Sequence, residues 1–172
     1  MKISTKGGDK GETSLMFGRR VSKACLRVKA YGAVDEMSAY IALARAYAKG
    51  TELANKLLRI QEKLVFLMTE LATAKTDFHL LAEKNIKLLD ENDLREIEDE
   101  IDLLESKGET FTGWRHAGET PIDASLDIAR TKCRCAEREI IALNEAEQLP
   151  RDFPITYINR LSDLLYLYSI TA

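Results

Sequence analysis

Three stretches of the sequence concentrate side chains able to bind or transform a small molecule. The first is glycine-rich, Ser4-Thr5-Lys6-Gly7-Gly8-Asp9-Lys10-Gly11-Glu12-Thr13-Ser14, with Arg19, Arg20 and Lys23 following it. Glycines let backbone N–H groups converge on one point, and such a concave row beside ammonium charges suits phosphate oxygens. Thr13 and Ser14 add hydroxyls, as donors or as a ligand to phosphate-bound magnesium. The spacing matches neither a Walker loop nor a dinucleotide fingerprint, and a plain N-terminal arm closed by a tight turn fits the same residues.

The second stretch follows Pro121. At roughly 100° per residue, Asp123, Asp127, Arg130, Arg134, Glu137 and Arg138 fall within about one third of a helix circumference. Leu126, Ala129, Cys133, Ala136, Ile140 and Leu143 occupy a separate sector that should face a core. Asp127–Arg130, and Arg134 with Glu137 or Arg138, stand at neighbour spacing, as on any solvated helix face. Arginine rather than lysine at all three basic positions favours an anion site, because the guanidinium fork matches phosphate geometry. In the third stretch, Tyr157-Ile158-Asn159-Arg160-Leu161-Ser162-Asp163, Leu161, Leu164 and Tyr168 can pack inward while Asn159, Ser162, Asp163 and Tyr166 share a polar edge. Asn159 can donate to a phosphate or ribose oxygen, although an ordinary amphipathic helix has the same pattern.

Other chemistries lack their residues. His79 and His116 are the only histidines and neither follows a Glu by three residues, so the di-iron bundle signature is missing. Cys133 and Cys135 point to different faces of a helix, which suits neither a zinc knuckle nor a disulfide, and Cys133 reads as a core residue. No nucleophile–base pair stands out, which argues against triad hydrolysis. The 172 residues carry 25 Lys and Arg against 28 Asp and Glu, a formal net charge of −3, which disfavours nonspecific nucleic-acid binding. With 45% hydrophobic and 31% charged residues the composition is that of a soluble globular domain. There is no apolar run near the roughly 20 residues of a membrane helix, no signal-peptide core at the start and no disulfide framework, so a cytoplasmic chain is expected.

The elements that must position these residues are helical. Four of the nine glycines lie between Gly7 and Gly18, and the three prolines are Pro121, Pro150 and Pro154. Apolar period predicts helices over about residues 27–47 and from residue 53 to about 74, a third after Asn92 ended by Gly108, a fourth over about 121–146, and a last from Pro154 to the end. Residues 75–90 read as a partly helical connection, and no strand of ordinary length is apparent. One domain is expected, with an arm over residues 1–26 and a bundle over 27–172.

Taken in order, four segments resemble the PduO-type ATP:cob(I)alamin adenosyltransferases. They are Thr5-Lys6-Gly7-Gly8-Asp9-Lys10-Gly11 with Thr13; Ser22-Lys23 with Arg27-Val28-Lys29-Ala30-Tyr31-Gly32-Ala33-Val34-Asp35-Glu36; Ala129-Arg130-Thr131-Lys132-Cys133-Arg134-Cys135-Ala136-Glu137-Arg138; and Tyr157-Ile158-Asn159-Arg160-Leu161-Ser162-Asp163-Leu164-Leu165. The resemblance implies an all-α five-helix bundle with a four-helix-bundle-like core, assembled as a homotrimer with sites between subunits. It implies transfer of the 5′-deoxyadenosyl group from ATP, with Mg2+, to cob(I)alamin, giving adenosylcobalamin and triphosphate. Thr5, Lys6, Gly7, Gly8, Thr13, Ser14, Lys23, Arg134, Cys135, Ala136, Glu137, Arg138 and Asn159 are then the ATP-binding positions. Arg134 is the charge that meets the departing triphosphate, and Asp35 and Arg130 match a pair bridging subunits. Trp114 matches an aromatic under the corrin ring that excludes water and the lower axial ligand.

The chain departs from the family pattern at three places. His116-Ala117-Gly118-Glu119 replaces Leu-Pro-Gly-Gly, Asp127 stands where His is common, and Cys135 replaces the second of two adjacent arginines. A cobalamin reductase and an adenosylcobalamin-dependent enzyme are the implied functional partners, with no nucleic acid and no membrane. A nucleotide- or corrinoid-binding regulator without turnover, and a helical interaction module, are the alternatives.

Overall fold

The computed structural model describes residues 6–108, 113, 115–146 and 148–172. Among them are two short strands, β1 (Glu12–Ser14) and β2 (Arg20–Ser22), and six helices: α1 (Leu26–Tyr47), α2 (Glu52–Leu71), the short α3 (His79–Glu83), α4 (Glu91–Ser106), α5 (Pro121–Glu145) and α6 (Phe153–Thr171). The five long helices are those the apolar period predicts, and the connection at 75–90 contains a 3-10 turn and α3.

Side-chain caps set the helix starts. The Thr51 hydroxyl accepts from Ala54 N–H, and Thr120 does the same for Asp123 N–H with Pro121 in the first turn. Asp90 and Asp93 form a reciprocal capping box, so α4 begins at Glu91, slightly ahead of the expected start after Asn92. The second helix stops at Leu71 and not near residue 74. The Leu71 carbonyl, which a further turn would need, accepts a 2.8 Å hydrogen bond from Arg27 Nη1 instead.

α1 packs against α2 and α5, α5 also packs against α6, and α4 packs against α6. The shared core is apolar where these helices meet: Val34, Met37 and Ile41 of α1 and Leu126, Ile140 and Leu143 of α5 are fully buried. Ala30, Ala44, Ala129 and Ala136 are equally buried, and such small side chains let the two helix backbones approach closely. α4 contributes only Ile97, Ile101 and Leu104 to this core, and its Leu94 is buried outside it. Polar contacts to α2 assist it, with Lys56 bonded to Glu100 at 2.8 Å and Lys63 bonded to Glu96 and Asp93.

At one end of the bundle two arginines gather the helix termini. Arg27, 4% exposed, donates to the Leu71 carbonyl and, at 2.5 Å, to the Gln148 carbonyl beyond α5. Arg151 grips the buried Glu70 carboxylate through two bonds of 2.8 and 2.6 Å and also donates to the Leu89 carbonyl at 2.9 Å. Arg151→Ala strands the Glu70 charge in the core. The expected cost is about 3 kcal/mol, the low end for a buried pair, because the Arg151 side chain is 32% exposed. Urea unfolding should register that loss, and the double substitution Glu70→Leu with Arg151→Met should recover most of it; a loss below about 1 kcal/mol would contradict the assignment.

Candidate active site

The glycine-rich segment is an ordered hairpin. β1 and β2 pair antiparallel with Glu12 opposite Ser22, Thr13 opposite Val21 and Ser14 opposite Arg20. Phe17 and Gly18 turn the chain with φ of 62° and 83°, values that glycine adopts freely and phenylalanine rarely. Two contacts fasten the hairpin to the rest of the fold. Met16 N–H donates to the Ala72 carbonyl at 2.9 Å. Arg19 forks onto Asp77 with bonds of 2.8 and 2.7 Å. Within the arm, Arg20 donates to Ser14 Oγ at 3.2 Å and to the Gly7 carbonyl at 2.8 Å. The Lys23 ammonium lies against Gly8, where an added Cβ would sit 2.8 Å from Nζ. The Gly8 position therefore keeps a lysine close to exposed backbone at Lys6 and Gly7.

On α5 the predicted core sector is fully buried, and Cys133 donates its thiol to the Ile158 carbonyl at 3.3 Å. Burial pushes the Cys133 thiol far above its ordinary range, so it is an inert core group. Along the charged sector, Arg130 Nε bonds Asp127 at 2.9 Å as the spacing predicts. The expected Arg134–Glu137 pair does not form. Glu137 accepts instead from Asn159 Nδ2 of α6 at 2.8 Å, and Arg138 bonds Cys135 Sγ at 3.0 Å. Arg134 is exposed and makes no ion pair among the described residues. Asp35 is likewise exposed on α1, and Arg130 turns to Asp127 within the chain. Ala136 is a core residue and contributes only backbone to any site.

A cavity of about 700 Å3 opens beside this ridge, lined by Arg130 and Arg134 of α5, Ser162, Asp163 and Tyr166 of α6, and Glu98, Asp102 and Glu105 of α4. α6 packs against both other helices, so it floors the recess while α4 and α5 form its walls. The acidic wall was not foreseeable: Glu98, Asp102 and Glu105 repeat at helical spacing, which alone reads as a solvated face. Ser162, expected on a polar edge, is 3% exposed because that edge is the cavity floor. Thr5 and Trp114 lie outside the described residues.

Asp123 corrects the ridge. It shares the sector of Asp127 but is fully buried, because at the first turn its carboxylate bends back onto the preceding loop. One oxygen accepts from Gly118 N–H at 2.9 Å, Glu119 N–H at 3.2 Å and Arg115 at 2.9 Å, which orders the segment that departs from the family pattern. Burial alone would raise this carboxyl, but those bonds to Gly118, Arg115 and Glu119 outweigh it and hold it below its usual range. The stability it supplies is therefore complete above about pH 3.9 and is lost as pH falls through its lower folded-state value. Acid titration of stability should show a steeper fall below pH 4 for the native chain than for Asp123→Asn; superimposable curves would refute the assignment.

The comparisons with known proteins agree with this geometry. The family model described as cobalamin adenosyltransferase matches residues 3–172. A corrinoid adenosyltransferase of Bacillus subtilis (strain 168) is 34% identical over 170 residues, covering 96% of this chain and 83% of that protein. One from Citrobacter freundii is 34% identical over 165 residues, covering 96% and 91%. Among solved structures, a variant PduO-type ATP:corrinoid adenosyltransferase from Lactobacillus reuteri, complexed with cobalamin and ATP, superposes with a TM-score of 0.87 at 30% identity. That match covers 98% of this chain and 91% of the other. With its whole bundle and its hairpin arm inside the match, the chain belongs to the cobalamin adenosyltransferase family.

Proposed function

We propose that this chain transfers the 5′-deoxyadenosyl group of ATP to the cobalt of cob(I)alamin, releasing triphosphate. The observation that carries the reading is the cavity in which the α5 arginines Arg130 and Arg134 meet the polar floor of α6. The arginines of that recess suit a polyanion, and its mixed polar lining suits a ligand rich in amides. The Bacillus subtilis and Citrobacter freundii relatives bear the corrinoid adenosyltransferase name, and the Lactobacillus reuteri neighbour holds both cobalamin and ATP.

In this reaction the Co(I) electron pair forms the bond to ribose C5′, and the C5′–O bond to triphosphate breaks with its electrons leaving on oxygen. Cobalt is formally oxidised to Co(III), and no proton moves. A general base is therefore unnecessary, in keeping with the lack of a nucleophile–base pair in the sequence. The protein's work is alignment and stabilisation of the leaving group. Lys6, Gly7, Gly8, Thr13, Ser14 and Lys23 of the arm form the phosphate cradle, with Thr5 before them. Arg134, without an ion pair among the described residues, takes the charge that develops on triphosphate. Glu137 and Asn159 orient one another beside the nucleoside, with Cys135, Ala136 and Arg138 on the same helix. Trp114, after α4, covers the lower face of the corrin. Mg2+ enters with the ATP phosphates: among the described residues no three His, Cys, Asp or Glu gather as a cage, and phosphate-bound magnesium needs only one or two protein ligands.

We further read the active form as a homotrimer, in which exposed Asp35 of one subunit meets Arg130 of the next and the arm closes on a neighbour's α5. A cobalamin reductase supplies the electron and an adenosylcobalamin-dependent enzyme takes the product. Three free thiols suit a reducing compartment, the cytoplasm.

Anaerobic turnover with Mg-ATP and reduced cobalamin tests the activity. Native protein should yield light-sensitive adenosylcobalamin and intact triphosphate. Arg134→Ala should lower kcat about 100- to 1000-fold, the cost of one preorganised donor, with an unchanged melting temperature. ATP-dependent thermal stabilisation without product would instead indicate a binding protein. Light scattering should give three times the 19.4 kDa chain mass, and a monomer would refute sites shared between subunits.

A further inference from the structure

The two walls of the cavity differ in sign. Arg130 and Arg134 stand on α5, whereas Glu98, Asp102 and Glu105 stand on α4. Part of the acidity is neutralised locally: Arg160 lies 3.5 Å from Glu98 and 2.9 Å from Asp163. Asp102 and Glu105 are different. Their carboxylates make no ion pair or hydrogen bond among the described residues, and both residues line the recess. Ser162 on the floor is a second, independent feature: it is only 3% exposed, its hydroxyl makes no hydrogen bond among the described residues, and it lines the same space.

Unpaired carboxylates can only accept hydrogen bonds, so this wall is complementary to neutral N–H donors and repels anions. The polyphosphate of ATP belongs with the arginines and not here. A corrin offers the missing donors, since its rim carries primary carboxamides, each with two N–H groups and no charge. We propose that Asp102 and Glu105, assisted by Ser162, make this enzyme selective for the amidation state of its corrinoid. They accept hydrogen bonds from rim carboxamides and turn away corrinoids bearing free carboxylates there. The inference rests on the reading of the cavity as the corrinoid site. Rejection is as much a part of it as attraction, because a carboxylate brought to this wall loses its hydration and meets like charge.

The test compares cobalamin with its three monocarboxylic acid derivatives, in each of which one rim propionamide is hydrolysed to propionate. Size, cobalt and nucleotide tail are unchanged, so the ratio of kcat/KM isolates the charge. Native enzyme should favour cobalamin over at least one isomer by about tenfold, the size expected for two solvent-exposed contacts, and added salt should shrink the ratio. Asp102→Asn with Glu105→Gln should bring the ratio close to one. Partial misfolding of the variant lowers both rates together and cannot produce that change. A native enzyme that treats cobalamin and all three acids alike overturns the proposal, as does a preference unaltered in the variant. Absence of adenosylcobalamin from cobalamin itself would instead overturn the activity assigned to the chain.

Discussion

Helices end in carbonyls that water or a side chain must satisfy, and in this bundle one buried guanidinium satisfies the last carbonyl of α2 together with one in the connection beyond α5. Arg27 joins the end of α2 to the segment beyond α5, while Arg151 ties Glu70 of α2 to the approach to α4. These bonds decide where α2 stops and how the α2–α4 and α5–α6 connections cross the same end of the molecule. The hairpin arm leaves the bundle from that end. Its Met16 hydrogen bond to Ala72 and its Arg19 fork onto Asp77 reach residues whose course depends on α2 ending at Leu71. The arm therefore inherits its position from a polar cluster that takes no part in chemistry. Desolvation lowers the Arg27 guanidinium from its ordinary range, and two carbonyl acceptors compensate the burial of its charge.

The second organising feature is division of labour around α5. One side of this helix is apolar and fully buried, with small residues that let α1 approach, and the opposite ridge is charged. Rigid packing on one side presents Arg130 and Arg134 at fixed places on the other, as a binding constellation requires. A nucleophile that resides in the substrate asks for little beyond this: charge where the leaving group develops, and two reactants held in line. The catalytic inventory is accordingly spare. Cys133, buried and bonded to the Ile158 carbonyl, belongs to the packing, and neither histidine, His79 nor His116, lies on α5.

α4 is the least embedded of the long helices. Its apolar stripe reaches the core, but Lys56 and Lys63 of α2 also hold it from one side, and its acidic side faces the cavity. A wall of this composition is costly if it must face anions and inexpensive if it meets neutral donors. On the proposed reading, the charge pattern of α4 answers to a neutral ligand beside it and that of α5 to an anion.

Much of this protein was legible in its residues. Apolar spacing located all five long helices, because burying a stripe at a 3.6-residue period is a local requirement. The core sector of α5 was likewise readable, and so was the Asp127–Arg130 pair, since neighbours on one helix need no other element to meet. The four ordered segments also sufficed to point to the family. The tertiary structure alone decided what lies across space. Asp123 turned from ridge to buried anchor because the loop before α5 folds back on it, and Glu137 left Arg134 for Asn159 because α6 brings a donor within reach. Arg27 became a cap for carbonyls far away in sequence, and α4's ordinary-looking acids became a cavity wall. Periodicity records which face of a helix is buried, but which partner that face or its edge will meet depends on helices far apart in the chain.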